Sequence, residues 1–293
     1  AVEEGLRGAS YVAKEVKRGE KTRHAAPPFT TSNLQQEAAR KLGFTTKRTM
    51  LIAQQLYEGV EIKGQGAVGL VTYIRTDSFR VSTDAQTQAR ELIAQRFGEK
   101  YVPEKPNVYK GRKNAQDAHE AIRPTYPERT PESVKDSLTP EQFKLYRLIY
   151  NRFMASQMSS AVYETMTVAI AAGEYGFRAS GSRITFDGFT AIYTEGRDDG
   201  ADEKETMLPP IQEGDVFDLK ELRKEQRFTQ PPMRYSEASL VRELEERGIG
   251  RPSTYSPTIS TIIERGYIRR EKKVLYPTEL GEIITKLMKD NFK

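Results

Sequence analysis

The spacing of the apolar residues changes near residue 160, and this change limits the folds open to the chain. Between residues 31 and 159 most apolar side chains recur at helical spacing, interrupted by an irregular segment over residues 101–130, whereas residues 162–222 follow the shorter repeat of strands. Strands gathered after a helical stretch indicate a multidomain α+β protein with an antiparallel sheet. With 293 residues the chain is long enough for two or three cores.

Capping residues define the helical stretch and an extended segment inside it. Thr31 and Ser32 offer an N-cap to one helix, and a second helix follows near Thr45. Thr139-Pro140-Glu141-Gln142 forms a capping box with proline at the first helical position, which predicts a long helix. The β-branched and aromatic residues at positions 70–75 predict a strand.

The C-terminal segment, residues 233–293, has its own order of elements. A helix over residues 237–246 precedes a turn at residues 248–250, a second helix, a basic hairpin over residues 267–276 and a last helix. This order resembles a winged helix, a motif of nucleic-acid-binding proteins.

Composition limits the setting and the partners of the chain. It contains no cysteine, carries a formal net charge of +5, and has no run approaching the ~20 apolar residues of a membrane span. We therefore expect a soluble, cytoplasmic protein, and the charge permits a polyanion as partner without requiring one. Because the chain begins with Ala1 rather than methionine, we expect a piece of a longer protein. Nothing demands a dimer, so a monomer is expected.

Three common catalytic motifs are present only in part. Residues 64–69 match the dinucleotide fingerprint by letters, but they precede a predicted strand instead of opening a helix. Residues 119–123 begin like a zinc-protease helix, with arginine in place of the second histidine. Residues 19–22 lack the adjacent Gly-Lys pair of a phosphate-binding loop. A nucleotide cofactor, zinc hydrolysis and ATP hydrolysis are not expected.

Tyr73-Ile74-Arg75-Thr76-Asp77 carries groups suited to attack a phosphodiester. On an extended chain the odd positions share one face, so a phenol, a guanidinium and a carboxylate project together. A tyrosine oxygen that displaces a DNA oxygen forms a phosphotyrosine. This link stores the energy of the broken bond, so the strand can be resealed without ATP. The arginine would neutralise charge on the phosphorus, and Asp77 would orient the pair. Spacing alone also permits Tyr73 to be one of 15 tyrosines that simply pack a strand.

Four stretches resemble the bacterial type IA DNA topoisomerases, in the same order along the chain. The most specific, GLVTYIRTDS at residues 69–78, is similar to their active-site segment nearly letter for letter. The others are PFTTSNLQ at residues 28–35, DAHEAIRP at residues 117–124 and GIGRPSTY at residues 248–255. Together the four span most of the chain, which is identified as a member of that family.

The resemblance implies roles for several residues. Tyr73 is the nucleophile that becomes linked to a 5′-phosphate, Arg75 positions the scissile phosphate, and Asp77 is a weaker candidate for an orienting group. DNA-binding residues are expected at His119, Arg123, Arg251, Ser253 and Thr254.

Simpler interpretations of the DNA-binding residues stay open. His119 would equally cap a helix, although the basic residues of positions 110–113 favour a phosphate contact. A cation, hydroxyls and backbone N–H groups where a helix begins after Gly250 would hold a phosphate. Ser253 and Pro252 also suit an ordinary helix start.

The resemblance also implies a domain plan and a missing part. Residues 1–29 with 160–232 would form a β-rich hinge, residues 30–159 a helical gate domain, and residues 233–293 a partial winged-helix-like DNA-binding segment. Family members bind Mg²⁺ in an N-terminal domain with an Asp-x-Asp-x-Glu cluster, and no Asp-x-Asp pair occurs here. We expect Mg²⁺ outside this chain, no cofactor on it, and impaired catalysis by the chain alone.

The implied function is that of an ATP-independent topoisomerase at the bacterial nucleoid, acting on single-stranded or underwound DNA. Tyr73 cleaves one strand, another strand passes, and resealing relaxes negative supercoils. Tyrosine recombinases and type IB topoisomerases also form phosphotyrosines, but their tyrosine comes late in the chain and Tyr73 comes early. A non-catalytic single-stranded nucleic-acid-binding module using the basic hairpin is the second alternative.

Overall fold

The structure is a computed structural model that describes residues 2–111, 119–196 and 207–292. Its contacts divide the chain into two compact units. The described residues of the first unit are 2–24, 160–191 and 207–231, and those of the second are 25–111, 119–159, 192–196 and 232–292. The predicted mixture of helices with antiparallel sheets is confirmed. Most of the region predicted as the hinge lies in the first unit, and the names of the three domains stay predictions.

The helices and strands are numbered in chain order. They are α1 (Val2–Arg7), β1 (Tyr11–Arg23), α2 (Thr31–Glu37), α3 (Thr46–Glu58), β2 (Val60–Ile62), β3 (Gly66–Val68), α4 (Thr83–Phe97), α5 (Pro131–Val134), α6 (Pro140–Ser156), β4 (Ala161–Ala172), β5 (Tyr175–Phe186), β6 (Val216–Phe217), α7 (Glu237–Glu246), α8 (Tyr255–Glu264), β7 (Ile268–Glu271), β8 (Val274–Pro277) and α9 (Glu279–Asn291). A π-helical turn, Ala38–Leu42, continues α2 as far as Gly43, whose left-handed backbone ends the helix. None of the described helices has the length and apolar character needed to span a membrane.

The first unit is built on a four-stranded antiparallel sheet with the order β5-β4-β1-β6. Strands β1 and β4 pair along their whole length, from Tyr11 opposite Ala172 to Arg23 opposite Ala161. Buried apolar side chains cover one end of this sheet, where β6 pairs with the start of β1. The buried residues there are Leu6, Tyr11, Ala13, Val168, Ala172 and Ile211.

The second unit has α6 in its core. The predicted capping box is confirmed, because the Thr139 hydroxyl accepts from the Gln142 N–H and the Gln142 side chain accepts from the Thr139 N–H. Leu145, Tyr146, Ile149 and Phe153 of α6 are fully buried. The Tyr146 hydroxyl donates to the carbonyl of Arg129 at 2.7 Å, so its one polar group is paired inside the core. Burial raises the pKa of the Tyr146 phenol.

The C-terminal elements follow the predicted order of two helices, a hairpin and a last helix. Helices α7 and α8 pack around Val241, Tyr255 and Ile259. The carboxylate of Glu237, in the first turn of α7, accepts from the N–H and hydroxyl of Thr46 and from the Arg270 guanidinium. A buried charge is thereby paired, and it joins the start of α7 to the start of α3 and to the hairpin.

The strand predicted at residues 70–75 is wrong. The segment is extended, but within the described residues its sheet-like pairing is an isolated bridge between Val71 and Pro124. The preceding glycine-rich stretch forms the turn and second strand of the β2–β3 hairpin. The local residue preference for a strand was present, but no strand of the described residues lies alongside to complete a ladder.

We predict that Gly281→Ala destabilises the packing of α9. A Cβ at this position would lie 2.0 Å from the carbonyl oxygen of Tyr267, so the helix and that backbone must separate. Overpacking of this kind costs about 1–3 kcal/mol, and we expect a lower midpoint in thermal unfolding followed by circular dichroism. Gly8→Ala is the control, because a Cβ there meets no atom within 4 Å. Equal midpoints for Gly281→Ala and the wild type would contradict the close approach.

Candidate active site

The segment that carries Tyr73 shows alternating exposure without belonging to a sheet. The side chain of Tyr73 is 39% exposed and Arg75 is exposed, whereas Ile74 and Thr76 between and after them are each 1% exposed. Asp77 is half-buried. The predicted projection of Tyr73 and Arg75 from one side is therefore observed, because the even positions face the core.

Thr31, from the PFTTSNLQ stretch, holds the backbone on both sides of Arg75. Its side chain is fully buried, and its hydroxyl donates to the carbonyl of Ile74 at 2.7 Å and accepts from the N–H of Thr76 at 2.9 Å. The N–H of Thr31 donates to the carbonyl of Thr76 at 2.9 Å. One threonine thus satisfies three buried backbone groups that a neighbouring strand would otherwise pair.

Residues 121–123 hold the other end of the same segment. The N–H of Thr72 donates to the carbonyl of Arg123 at 2.9 Å, and the Thr72 hydroxyl donates to the carbonyl of Ala121 at 2.7 Å. The N–H of Arg123 donates to the Thr72 hydroxyl at 3.0 Å. The HEAIRP part of the third stretch is therefore a backbone support for the residue that precedes Tyr73.

The C-terminal end of α3 forms a third support. The N–H of Leu70 donates to the carbonyl of Leu56 at 2.8 Å. Gly69 approaches the same helix so closely that a Cβ would lie 2.8 Å from the carbonyl oxygen of Tyr57. A side chain at position 69 would push the segment away from α3, so the glycine is required by space.

Two aromatic rings contact the ring of Tyr73. The His119 ring lies 5.2 Å from it between centroids, at 41°, and the Tyr57 ring lies 5.6 Å from it in a T-shaped arrangement at 68°. The structure therefore brings together Tyr73 and the predicted DNA-binding residue His119.

Sequence reasoning missed Tyr57 as a site residue. Only the structure shows that Tyr57 lies beside, rather than on, the buried stripe of α3 that contains Ile52 and Leu56.

Arg123 lies in a setting that does not support the predicted DNA contact. It is 9% exposed, and its guanidinium pairs with the Glu120 carboxylate at 2.7 Å and donates to the carbonyl of Pro124 at 3.0 Å. A buried guanidinium that already has an acid and a carbonyl as partners serves the local fold. The basic positions 112 and 113, which favoured a phosphate contact beside His119, lie outside the described residues, as do residues 117 and 118.

Arg251, Ser253 and Thr254 lie at the start of α8, and all three are exposed. The N–H of Arg251 donates to the Thr254 hydroxyl at 2.8 Å, and the Arg251 guanidinium donates to the carbonyl of Gly250 at 3.0 Å. The N-cap residue is Thr254, and it makes no side-chain cap to the helix. The interpretation of Ser253 as the helix cap is therefore wrong, and the exposed groups at this helix start suit an anion.

A buried ionic network anchors α2, the helix that begins with Thr31. The Glu37 carboxylate accepts from the Tyr193 hydroxyl at 2.7 Å, and the Arg152 guanidinium donates to that hydroxyl at 3.2 Å. Arg152 also lies 4.9 Å from the centre of the Phe29 ring, inside the PFTTSNLQ stretch. Burial raises the pKa of Tyr193, and burial lowers the pKa of Lys41, an effect that Glu37 partly offsets.

The described residues contain no group of three or more histidine, aspartate or glutamate side chains placed to hold a metal ion. The chemical groups assembled around Tyr73 are instead a phenol, an imidazole, an exposed guanidinium and neutral backbone supports. Such a set is suited to binding and attacking a phosphate, and it does not fit a divalent cation, which prefers several carboxylates.

Comparisons with known proteins show what the whole chain is similar to. A family model described as DNA topoisomerase matches residues 2–293. The chain is also similar to the solved structure of full-length topoisomerase I from Thermotoga maritima in a monoclinic crystal form, with a TM-score of 0.85 and 39% sequence identity. The match covers 99% of this chain and 47% of the Thermotoga chain, so this chain spans less than half the length of that protein.

We predict that Thr31→Val destabilises the segment that carries Tyr73. Valine keeps the shape of threonine but leaves the buried Thr76 N–H without its acceptor, which costs about 1–3 kcal/mol. Denaturant unfolding should report this loss. Thr87→Val is the control, since its hydroxyl is exposed on α4 and bonds the carbonyl of Thr83. The same small change in both variants would show that the Thr31 hydroxyl is dispensable.

Proposed function

The chain belongs to the DNA topoisomerase family, and from this premise we propose that it carries the strand-cleaving tyrosine of an ATP-independent type IA topoisomerase. One observation carries the proposal. Tyr73 and Arg75 are exposed on a segment whose backbone is fixed by buried hydrogen bonds on both sides. A reactive side chain held on a rigid backbone is what a nucleophile requires.

In the proposed cleavage step, the Tyr73 oxygen attacks a DNA phosphorus. A bond forms between the phenol oxygen and phosphorus, and the bond between phosphorus and the 3′ oxygen breaks. The phenol proton leaves to water, and the departing oxygen takes up a proton to become a 3′-hydroxyl. The phosphotyrosine retains the 5′-phosphate, so attack by the same 3′-hydroxyl reverses the step and reseals the strand without ATP.

Arg75 and His119 have separate roles in this proposal. Within the described part of the chain no side chain pairs with the Arg75 guanidinium, which leaves its donors for two non-bridging phosphate oxygens. It would neutralise charge that builds on phosphorus during attack. His119 contacts the Tyr73 ring and would contact the DNA backbone next to the cleaved bond. Asp77 is a weaker candidate for an orienting group.

The proposed reaction also needs a metal ion and a general acid that the described residues do not supply. The described residues do not fit a metal ion, so no step above is assigned to one, and we place Mg²⁺ and the acid that protonates the 3′ oxygen in another domain of the full protein. In the same proposal the first unit serves as the hinge and the second carries the gate and the winged-helix-like segment. The substrate is single-stranded or underwound DNA at the bacterial nucleoid, bound by a monomer.

A non-catalytic module that binds single-stranded nucleic acid is the alternative function. It is favoured by the C-terminal hairpin, where the guanidinium groups of Arg234 and Arg269 lie 5.0 and 5.4 Å from the centre of the Tyr276 ring. Exposed cations beside an aromatic ring are typical of single-strand binding surfaces. The two functions differ in whether Tyr73 is needed for anything beyond packing.

We predict that Tyr73→Phe abolishes a covalent protein–DNA adduct and leaves single-strand affinity unchanged. The chain is incubated with labelled single-stranded DNA and Mg²⁺, with and without the metal-binding domain, and denatured before electrophoresis. An adduct is expected with the wild type, chiefly when the domain is added, because only tyrosine supplies the attacking oxygen. Tyr126→Phe, which changes another exposed tyrosine, should keep the adduct.

Two outcomes would count against this function. An adduct that persists in Tyr73→Phe would assign the nucleophile elsewhere. The absence of an adduct under either condition, from wild-type protein shown to be folded and bound to DNA, would favour the non-catalytic module.

We also predict that Arg251→Ala weakens binding to single-stranded DNA. Arg251 is exposed at the start of α8, and removal of one phosphate partner should reduce the slope of log affinity against log salt by about 0.7. Binding is measured by fluorescence anisotropy over a range of salt. Arg265→Ala removes an exposed arginine at the opposite end of α8 and should change the slope less. Equal slopes in the two variants would remove Arg251 from the DNA-binding residues.

A further inference from the structure

The Tyr57 side chain has no role in the mechanism so far, yet it touches the proposed nucleophile. Its ring and the Tyr73 ring meet edge to face, with 5.6 Å between centroids and 68° between planes. Both side chains are 39% exposed, so the contact lies at the surface, where substrate reaches it. In this geometry the positive edge of one ring lies against the negative face of the other.

The backbone of α3 fixes the position of Tyr57 before any substrate binds. The carbonyl of Leu56 accepts from the N–H of Leu70, and the carbonyl of Tyr57 lies against the Cα of Gly69 with no room for a side chain. Residues 69 and 70 lead directly into Thr72 and Tyr73. The two tyrosines are therefore mounted on backbones that are locked to each other.

The core of α3 does not depend on the Tyr57 ring. Ile52, Ala53 and Leu56 supply the buried stripe of this helix, with at most 1% exposure each. Tyr57 lies at the end of the helix, next to Gly59, and faces solvent and Tyr73. The Tyr57 ring has a fixed position but contributes little to the core. We therefore expect it to have a role at the site of Tyr73.

We propose that Tyr57 is a positioning residue that restricts the orientation of the Tyr73 ring, an inference that rests on the proposed function. An exposed tyrosine samples several side-chain rotamers, and only one range directs its oxygen along the line of attack on phosphorus. The contacts of the Tyr73 ring with the rings of Tyr57 and His119 narrow this range. Because the effect acts on the geometry of attack, it changes the rate of cleavage and leaves DNA affinity unchanged.

The test compares Tyr57→Leu with Tyr57→Phe, in the combination of chain and metal-binding domain used for the adduct. Single-turnover adduct formation with a saturating single-stranded oligonucleotide gives the rate constant, and anisotropy gives the dissociation constant. We expect Tyr57→Leu to slow adduct formation about tenfold. Leucine has no aromatic ring, so the ring contact that favours the reacting orientation of Tyr73 is lost. Tyr57→Phe keeps the ring and should react at the wild-type rate. Tyr126→Leu, the same change at another exposed tyrosine, should also do so.

Each other outcome has a definite meaning. A wild-type rate in Tyr57→Leu, or a loss confined to DNA affinity, would overturn the positioning role and leave the proposed function standing. Equal slowing in Tyr57→Phe would assign the effect to the hydroxyl and overturn the ring contact as its cause. No adduct from wild-type protein would remove the proposed function and this inference together. Circular dichroism of each variant separates slowing from unfolding.

Discussion

The site depends on one constraint, which is the need to pair the backbone groups of an extended segment that has no strand beside it in the described part of the chain. Unpaired N–H and carbonyl groups in a protein interior cost free energy comparable to that of a missing hydrogen bond. For residues 70–76 the partners come from three separate parts of the sequence: Thr31, residues 121–123 and the end of α3. The stretches that resemble the family on either side of Tyr73 thus have a structural purpose that does not require contact with DNA.

This constraint also explains how the segment presents its chemistry. A strand within a sheet has neighbours on both edges, and its side chains pack against theirs. Here the supports reach the backbone from the buried side, and Ile74 and Thr76 fill the core while Tyr73 and Arg75 stay exposed. The backbone is held rigidly while the two side chains stay accessible, which is what the proposed function requires of Tyr73 and Arg75.

Much of the architecture follows from local sequence, and the exceptions share one cause. The capping box at Thr139, the helix end at Gly43 and the order of the C-terminal elements are local features, and all are observed. The strand at residues 70–75 failed because strand formation needs a partner that only the tertiary fold supplies. The DNA contact of Arg123 stays a prediction, and its pairing with Glu120 depends on burial that its sequence neighbours do not reveal. Tyr57 was overlooked because contact with Tyr73 follows from the turn of the β2–β3 hairpin.

Arg75 and Arg123 differ in how far the fold already pairs their charges. The desolvation cost of Arg123 is already offset by an acid and a carbonyl, so a phosphate would gain little from it. Arg75 is exposed, and the groups that hold the backbone around it are threonine hydroxyls, amides and carbonyls. Because these supports carry no net charge, they fix the segment without competing for the guanidinium. A scaffold built from neutral hydrogen bonds therefore leaves the positive charge of Arg75 exposed, which is the electrostatic condition for the phosphate binding proposed beside Tyr73.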